Sequence, residues 1–138
     1  MKIRNLEKKD IPSCLKLLEQ LTVVGDFDYI SICEKILNNS NIHIFVAESE
    51  NKIVGMATIV IEQKFIHKGG RVGHIEDVVV DKEYRNLNIG RSLIEKCIET
   101  AKMNDCYKAI LDCDEKNVLF YNKCGFKNFG ISMKILLQ

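Results

Sequence analysis

The chain has 138 residues, of which 46% are hydrophobic and 28% charged, and a net charge of +1. That length makes one domain, residues 1–138, able to bury roughly two thirds of its unfolded surface. A balanced charge gives no electrostatic basis for binding nucleic acid or an anionic membrane, and no apolar run reaches the roughly 18 residues that a span needs.

Six cysteines (Cys14, Cys33, Cys97, Cys106, Cys113 and Cys124) form no C-x-x-C pair, and most lie in apolar periodic stretches. They read as reduced, buried thiols of a cytoplasmic protein with no secretory signal before Arg4. His43, His67 and His74 have no ligand-like spacing to them, so no metal is expected.

In chain order, residues 2–6 read as extended. Asp10-Ile11-Pro12 reads as a capping acid and proline at a helix start. Ile11, Leu15, Leu18 and Leu21 then recur at helical spacing, with Cys14 on the same face. The pattern breaks around Gly25 and resumes over residues 27–37. Residues 42–48 and 53–61 read as strands joined at a hairpin turn, the second continuing to Phe65. A second hairpin turn, His67-Lys68-Gly69-Gly70, feeds a strand over residues 71–80. A helix follows Gly90 to about Met103, then a strand over 107–113. A short helix over 117–123 ends at Gly125, and a last strand covers 126–137. The order β-α-α-β-β-β-α-β-α-β predicts an α/β (α+β) domain. Its sheet is mixed and mostly antiparallel, with helices flanking it and a ligand at the carboxyl end of the central strand.

The organising stretch is 73–91. His74-Ile75-Glu76-Asp77-Val78-Val79-Val80 is a β-branched run with two carboxylates inside it, where a purely structural strand would be apolar. It leads through a polar turn into Arg85-Asn86-Leu87-Asn88-Ile89-Gly90-Arg91 and then a helix. A strand, a basic loop and a helix N-terminus together make an anion cradle, because the unpaired N–H groups of the first turn point outward. The loop is no Walker motif, since Arg85 stands where a glycine is required.

Glu76 and Asp77, as strand neighbours, face opposite sides. Either one is solvated and the other bonds nearby backbone, or a bulge aims one at a ligand. Lys64-Phe65-Ile66-His67 ends the preceding strand and is expected beside them. Lys64 and His67 are suited to an acidic or phosphorylated small molecule, although a hairpin rim is also often just solvated. Asp112 closes an apolar strand at the same crevice, and Asp114 is placed to cap the helix of Asn117 and Tyr121. Tyr121 lies four residues after Asn117, on one face, as either a core aromatic or a site phenol.

These residues resemble the glucosamine-6-phosphate N-acetyltransferases of the GNAT acyltransferase superfamily. The likeness rests on Leu21-Thr22-Val23-Val24-Gly25-Asp26, Lys64-Phe65-Ile66-His67 and Gly73-His74-Ile75-Glu76-Asp77-Val78-Val79-Val80. It continues in Cys106-Tyr107-Lys108-Ala109-Ile110-Leu111-Asp112-Cys113, in Asp114-Glu115-Lys116-Asn117-Val118 and in Phe120-Tyr121-Asn122-Lys123-Cys124-Gly125-Phe126. The resemblance implies acetyl transfer from acetyl-CoA to the 2-amine of glucosamine 6-phosphate. It implies two central strands that splay apart, with pantetheine adding to the backbone of Val78, Val79 and Val80. Asn86, Leu87, Asn88, Ile89, Gly90 and Arg91 would hold the pyrophosphate, with Asn117 and Tyr121 on the cofactor's other side. Thr22, Lys64, Phe65, Ile66, His67, Glu76, Asp77, Val78 and Asp112 would bind the sugar. Asp112 or Glu76 would orient the amine, and Tyr121 would meet the leaving thiolate.

Two positions depart from the family pattern. Asn88 replaces the loop's first glycine, and asparagine tolerates positive φ well. Leu136 stands where a basic residue commonly reaches the sugar phosphate of the partner subunit. An apolar terminal strand with nothing to cover its edge predicts a homodimer. The alternatives are acetylation of another small amine and a non-catalytic CoA-sensing module. The first leaves Lys64 and His67 without a role, and the second needs neither Asp112 nor Tyr121.

Overall fold

The computed structural model describes all of residues 1–138. Strands β1 (Lys2–Asn5), β2 (Ile42–Ser49), β3 (Lys52–Gln63), β4 (Arg71–Val80) and β5 (Cys106–Ile110) form one sheet in that spatial order. Every pairing is antiparallel except β4 with β5, which helix α4 (Ile89–Met103) connects as a parallel crossover. Helices α1 (Ile11–Leu18) and α2 (Tyr29–Leu37) precede β2, a helical turn α3 (Ile66–Gly69) joins β3 to β4, and α5 (Val118–Lys123) follows β5. The mixed, mostly antiparallel sheet with flanking helices is the architecture expected from the element order.

Alternation along the strands builds two cores. Phe45, Ala47, Ile59, Ile61 and Ile75 meet Leu93, Ile94, Cys97 and Ala101 of α4. On the other face Val46, Met56 and Val79 meet Leu6, Cys14 and Leu17. Under α4, a Cβ at Gly73 would come 3.4 Å from Ala101 Cβ of the helix and 2.8 Å from Cδ1 of Ile59 on β3. Glycine is needed there for close approach.

Several expectations change. Asp10 does not cap α1; its carboxylate takes a bidentate pair from Arg4 at 2.7 and 2.9 Å and a bond from Glu7 N–H. A guanidinium nearby outcompetes the local cap because the bond is charge-assisted and doubled. Arg4 holds the Asp10 carboxyl below its usual value. The first helix stops at Leu18, not Leu21, and α2 begins at Tyr29, capped by Asp28 accepting from Ser31 N–H at 3.2 Å. Asp114 makes no side-chain cap. The expected hairpin turn is a helical turn, Ile66–Gly69, in which His67 and Lys68 have φ of 52° and 59°. Cys113 is exposed rather than buried.

The largest difference is at the C-terminus. Residues 126–137 form no strand in the single chain, and Phe129, Ile131 and Met133 are about 90% exposed. A strand exists only by hydrogen bonding to another edge, and this segment has none within its own subunit.

Candidate active site

Strand β4 changes character halfway along. From Arg71 to His74 it pairs with β3 on one side and β5 on the other, the last β5 partner being Ile110. Beyond that point β5 ends, and β4 runs on to Val80 paired with β3 alone. The expected strand over 107–113 therefore closes early, and Leu111, Asp112 and Cys113 continue it as irregular backbone. The result is the splayed pair of strands that the resemblance implies. Val78, Val79 and Val80 line its open edge, although Arg85 Nε donates to the Val80 carbonyl at 3.4 Å.

A bulge sits at the carboxylates. Met56 faces Val79 and Thr58 faces Glu76, so Asp77 and Val78 share Ala57, and Asp77 has φ of 51°. The bulged arrangement is the second of the two readings of this acid pair. It leaves both Glu76 and Asp77 exposed. Although the residue Glu76 is exposed overall, partial desolvation of its carboxyl, then the negative charges of Asp112 and Asp77, push it above its usual value, with His74 opposing. Three carboxylates thus converge where the sheet opens, and positive charge is favoured there.

The following loop is set by its asparagines. Asn86 and Asn88 both adopt left-handed backbone, with φ of 66° and 61°. Helix α4 begins at Ile89, so Gly90 lies inside the first turn, and the first intrahelical bond is Ser92 N–H to the Asn88 carbonyl. No side chain caps this end. The N–H groups of Ile89, Gly90 and Arg91 therefore remain as donors for an anion. Gly90 also has a packing reason: a Cβ would stand 3.1 Å from Phe120 Cζ. Leu87 is exposed at the loop tip.

Across the opening, α5 presents Tyr121. A cavity of about 370 Å³ is lined by Ile110, Asp112, Cys113 and Tyr121 and roofed by the chain after Phe126. Ser132 Oγ donates to Asp112 Oδ2 at 3.3 Å. Burial raises the Tyr121 phenol to about 12, with the thiols of Cys113, Cys124 and Cys97 adding to it. It stays protonated at neutral pH and is a donor only where charge develops. Asn117, the residue before α5, is exposed.

Two expected groups are elsewhere. The segment Lys64, Phe65, Ile66, His67 lies at the opposite end of β4, where Gln63 pairs with Arg71. Five residues separate that rung from Glu76, roughly 16 Å. There Lys64 binds Glu62 at 3.1 Å and His67 stacks on Tyr107 with centroids 3.9 Å apart. Between them Phe65 and Ile66 project into solvent. Thr22 is exposed in the loop after α1, which Gln20 pins to β4's exit by accepting from Lys82 N–H at 3.0 Å. One pair escaped the sequence reading. His74 Nε2 lies 2.8 Å from Glu62 Oε1, on the sheet face that carries Glu76. Its signal was a polar position two residues before Glu76, which gains a meaning only with the β3–β4 register.

Splayed strands beside an uncapped helix N-terminus are the arrangement of a CoA-dependent acyltransferase, and comparison with known proteins agrees. The acetyltransferase (GNAT) family matches residues 7–126. Glucosamine 6-phosphate N-acetyltransferase of Arabidopsis thaliana is 39% identical over 139 residues, covering 96% of this chain and 93% of the relative. The enzyme of that name from Trypanosoma brucei brucei is 36% identical, covering 98% and 95%. The crystal structure of the Arabidopsis thaliana enzyme superposes with a TM-score of 0.95 at 38% identity, over 99% of this chain and 98% of that one. The chain belongs to the GNAT acetyltransferase family and, within it, to the glucosamine 6-phosphate N-acetyltransferases.

Proposed function

We propose that the protein transfers the acetyl group of acetyl-CoA to the 2-amino group of D-glucosamine 6-phosphate. The products are N-acetyl-D-glucosamine 6-phosphate and CoA, a step toward UDP-N-acetylglucosamine. The observation that carries this reading is the convergence of Glu76, Asp77 and Asp112 at the point where β4 loses β5, with Tyr121 across the cavity. The relatives named for this reaction span nearly the whole chain.

Acetyl-CoA is the co-substrate. Its pyrophosphate suits the donors of Ile89, Gly90 and Arg91 behind Asn86, Leu87 and Asn88, and its pantetheine suits the free edge of Val78, Val79 and Val80. Asn117 flanks it. The acceptor arrives as an ammonium, which the carboxylates attract; once neutral, the amine attacks the thioester carbonyl directly, in a ternary complex. Asp112 orients it with Glu76, and Tyr121 donates a hydrogen bond to the sulfur as charge builds. Thr22 and Asp77 complete the sugar's surroundings.

The subunit is proposed to work as a homodimer through residues 126–137. Six apolar side chains there (Phe129, Ile131, Met133, Ile135, Leu136 and Leu137) are 78–90% exposed. Burying them against a second copy's edge gives the segment the ladder it lacks. The hairpin of Lys64, Phe65, Ile66 and His67 is too far from Glu76 in its own chain, and in such a dimer it serves the partner's sugar phosphate. With Leu136 uncharged, that hairpin supplies the cationic groups. Six free thiols fit a reducing, cytoplasmic setting.

The test is thiol release from acetyl-CoA with a panel of amines, including glucosamine with and without its phosphate, a polyamine and an aminoglycoside. Turnover with glucosamine 6-phosphate at least tenfold above the rest is the expected result. Equal or better turnover with another amine overturns the substrate assignment, and a monomeric mass at micromolar concentration overturns the dimer.

A further inference from the structure

The carboxylates of the opening can attract an ammonium, yet an ammonium has no lone pair with which to attack. A small-molecule amine of pKa about 8 is mostly protonated at neutral pH, so a proton must leave the site before the bond forms. Glu76 is one of the carboxylates that can take it, and beside it on the same sheet face is the pair His74 and Glu62.

The register fixes their placement. Ile75 is 2% exposed in the core beneath α4, so His74 and Glu76 both face the other side of the sheet. Two residues along a strand put them roughly 6.6 Å apart, within reach of one another's side chains. On β3 the rungs are Thr58 opposite Glu76, Val60 opposite His74 and Glu62 opposite Val72. Glu62 therefore reaches diagonally to His74, with Nε2 to Oε1 at 2.8 Å, while Lys64 Nζ holds its other oxygen at 3.1 Å. On β5 the partner of His74 is Ile110, two residues before Asp112. The charged groups around His74 are thus Glu62 on β3 and Lys64 just past that strand's end, Glu76 on β4, Lys108 opposite Val72 on β5, and Asp112 beyond the end of β5.

We propose that Glu62 and His74 form a relay pair that clears the amine's proton from Glu76. This rests on the acetyl transfer of the preceding section. Neutral His74 donates its Nε2–H to the Glu62 carboxylate, which leaves the Nδ1 lone pair free. The ammonium gives a proton to the Glu76 carboxylate and becomes the neutral nucleophile. Glu76 passes that proton to Nδ1, directly or through one water, and becomes a carboxylate again. The imidazolium is then held against ionised Glu62. One proton moves twice, no electrons change hands, and the imidazolium later returns its proton to solvent. His74 acts through Glu76 and does not touch the sugar.

The test is the pH dependence of kcat with glucosamine 6-phosphate for wild type, His74→Gln and Glu62→Gln, between pH 6.5 and 9.5. At pH 7 both variants are expected to lose about tenfold in kcat, with the KM for acetyl-CoA unchanged. Above pH 9 the substrate arrives already neutral, so the deficit should shrink to within about twofold. A deficit of the same size at every pH, or none at any pH, overturns the relay. Circular dichroism melts identify a variant that misfolds; Glu62→Gln, which keeps the bond to His74 and loses only charge, then decides alone. Inactive wild type would instead fail the substrate assignment, which the amine panel detects separately.

Discussion

The two halves of β4 are made of similar residues and do opposite things. In Arg71–His74 both edges are paired, and Gly73 lies under α4, where an added methyl group would have to displace Ile59 Cδ1. In the half from Ile75 to Val80 one edge is bare, one residue is left-handed and two carboxylates are exposed. The first half is stabilised by its neighbours. The second is held by β3 alone, and its unfinished ladder becomes the binding surface. Function here occupies the part of a strand whose hydrogen bonding the fold does not complete.

If the open half carries the chemistry, the largest effect belongs to the group facing it. Tyr121→Phe keeps the ring among Phe120 and Phe126 and removes only the donor. The kcat should fall roughly 10–10³-fold with little change in the KM for the amino sugar. Steady-state kinetics on a variant with native circular dichroism measures this, and a kcat within about twofold of wild type would make Tyr121 a packing residue. Next comes the anion cradle. Gly90→Glu should raise the KM for acetyl-CoA at least tenfold, since it sets an acid against the pyrophosphate. The same side chain also displaces Phe120, which adjoins Tyr121, so kcat should fall too. The double variant Gly90→Ala with Phe120→Leu relieves the packing, and its kcat should recover toward wild type.

Apart from His74, the closed half answers in stability rather than rate. Gly73→Ala places a Cβ 2.8 Å from Ile59 Cδ1 and should destabilise by about 1–3 kcal/mol in urea melts, with kcat of the folded fraction preserved. A large loss of kcat at unchanged stability would erase the distinction between the halves.

The smallest effect separates two acids by the sign of their pH dependence. Asp10, held low by Arg4, contributes stability that is complete above a pH of about 4 and is lost as pH falls through its folded value. Glu76, raised by partial desolvation and by Asp112, contributes stability that is complete below a pH of about 4 and is lost as pH rises through its folded value. Glu76→Gln should therefore be slightly more stable than wild type at pH 7 and far less active, whereas Asp10→Asn should be less stable at pH 7. Thermal melts across pH 3–8 compare them, and the same sign for both would contradict the assignments.

Much was legible locally. Asparagine at position 88 implied a left-handed loop residue, and φ there is 61°. Two acids inside a β-branched run left a bulge as one of two readings, and one sits at Asp77. Gly125 was expected to end a short helix, and it follows Cys124 with φ of 99°. These are properties of a residue and its immediate neighbours, so the chain carries them in plain view. The misreadings share one cause. Asp10 looked like a cap until Arg4 arrived from another element. Lys64 looked adjacent to Glu76 until the register set it six residues beyond Thr58, the partner of Glu76.

The amino-acid sequence by itself determined the order of elements, the turn residues, the apolar alternation and the family, because each depends on spacing along the chain. The tertiary structure decided where β5 stops against β4, which side chains meet as Glu62 and His74 do, and that residues 126–137 find no edge in their own subunit. Those outcomes depend on hydrogen-bond partners distant in sequence. A strand's propensity is local, but its pairing is a contact between two segments.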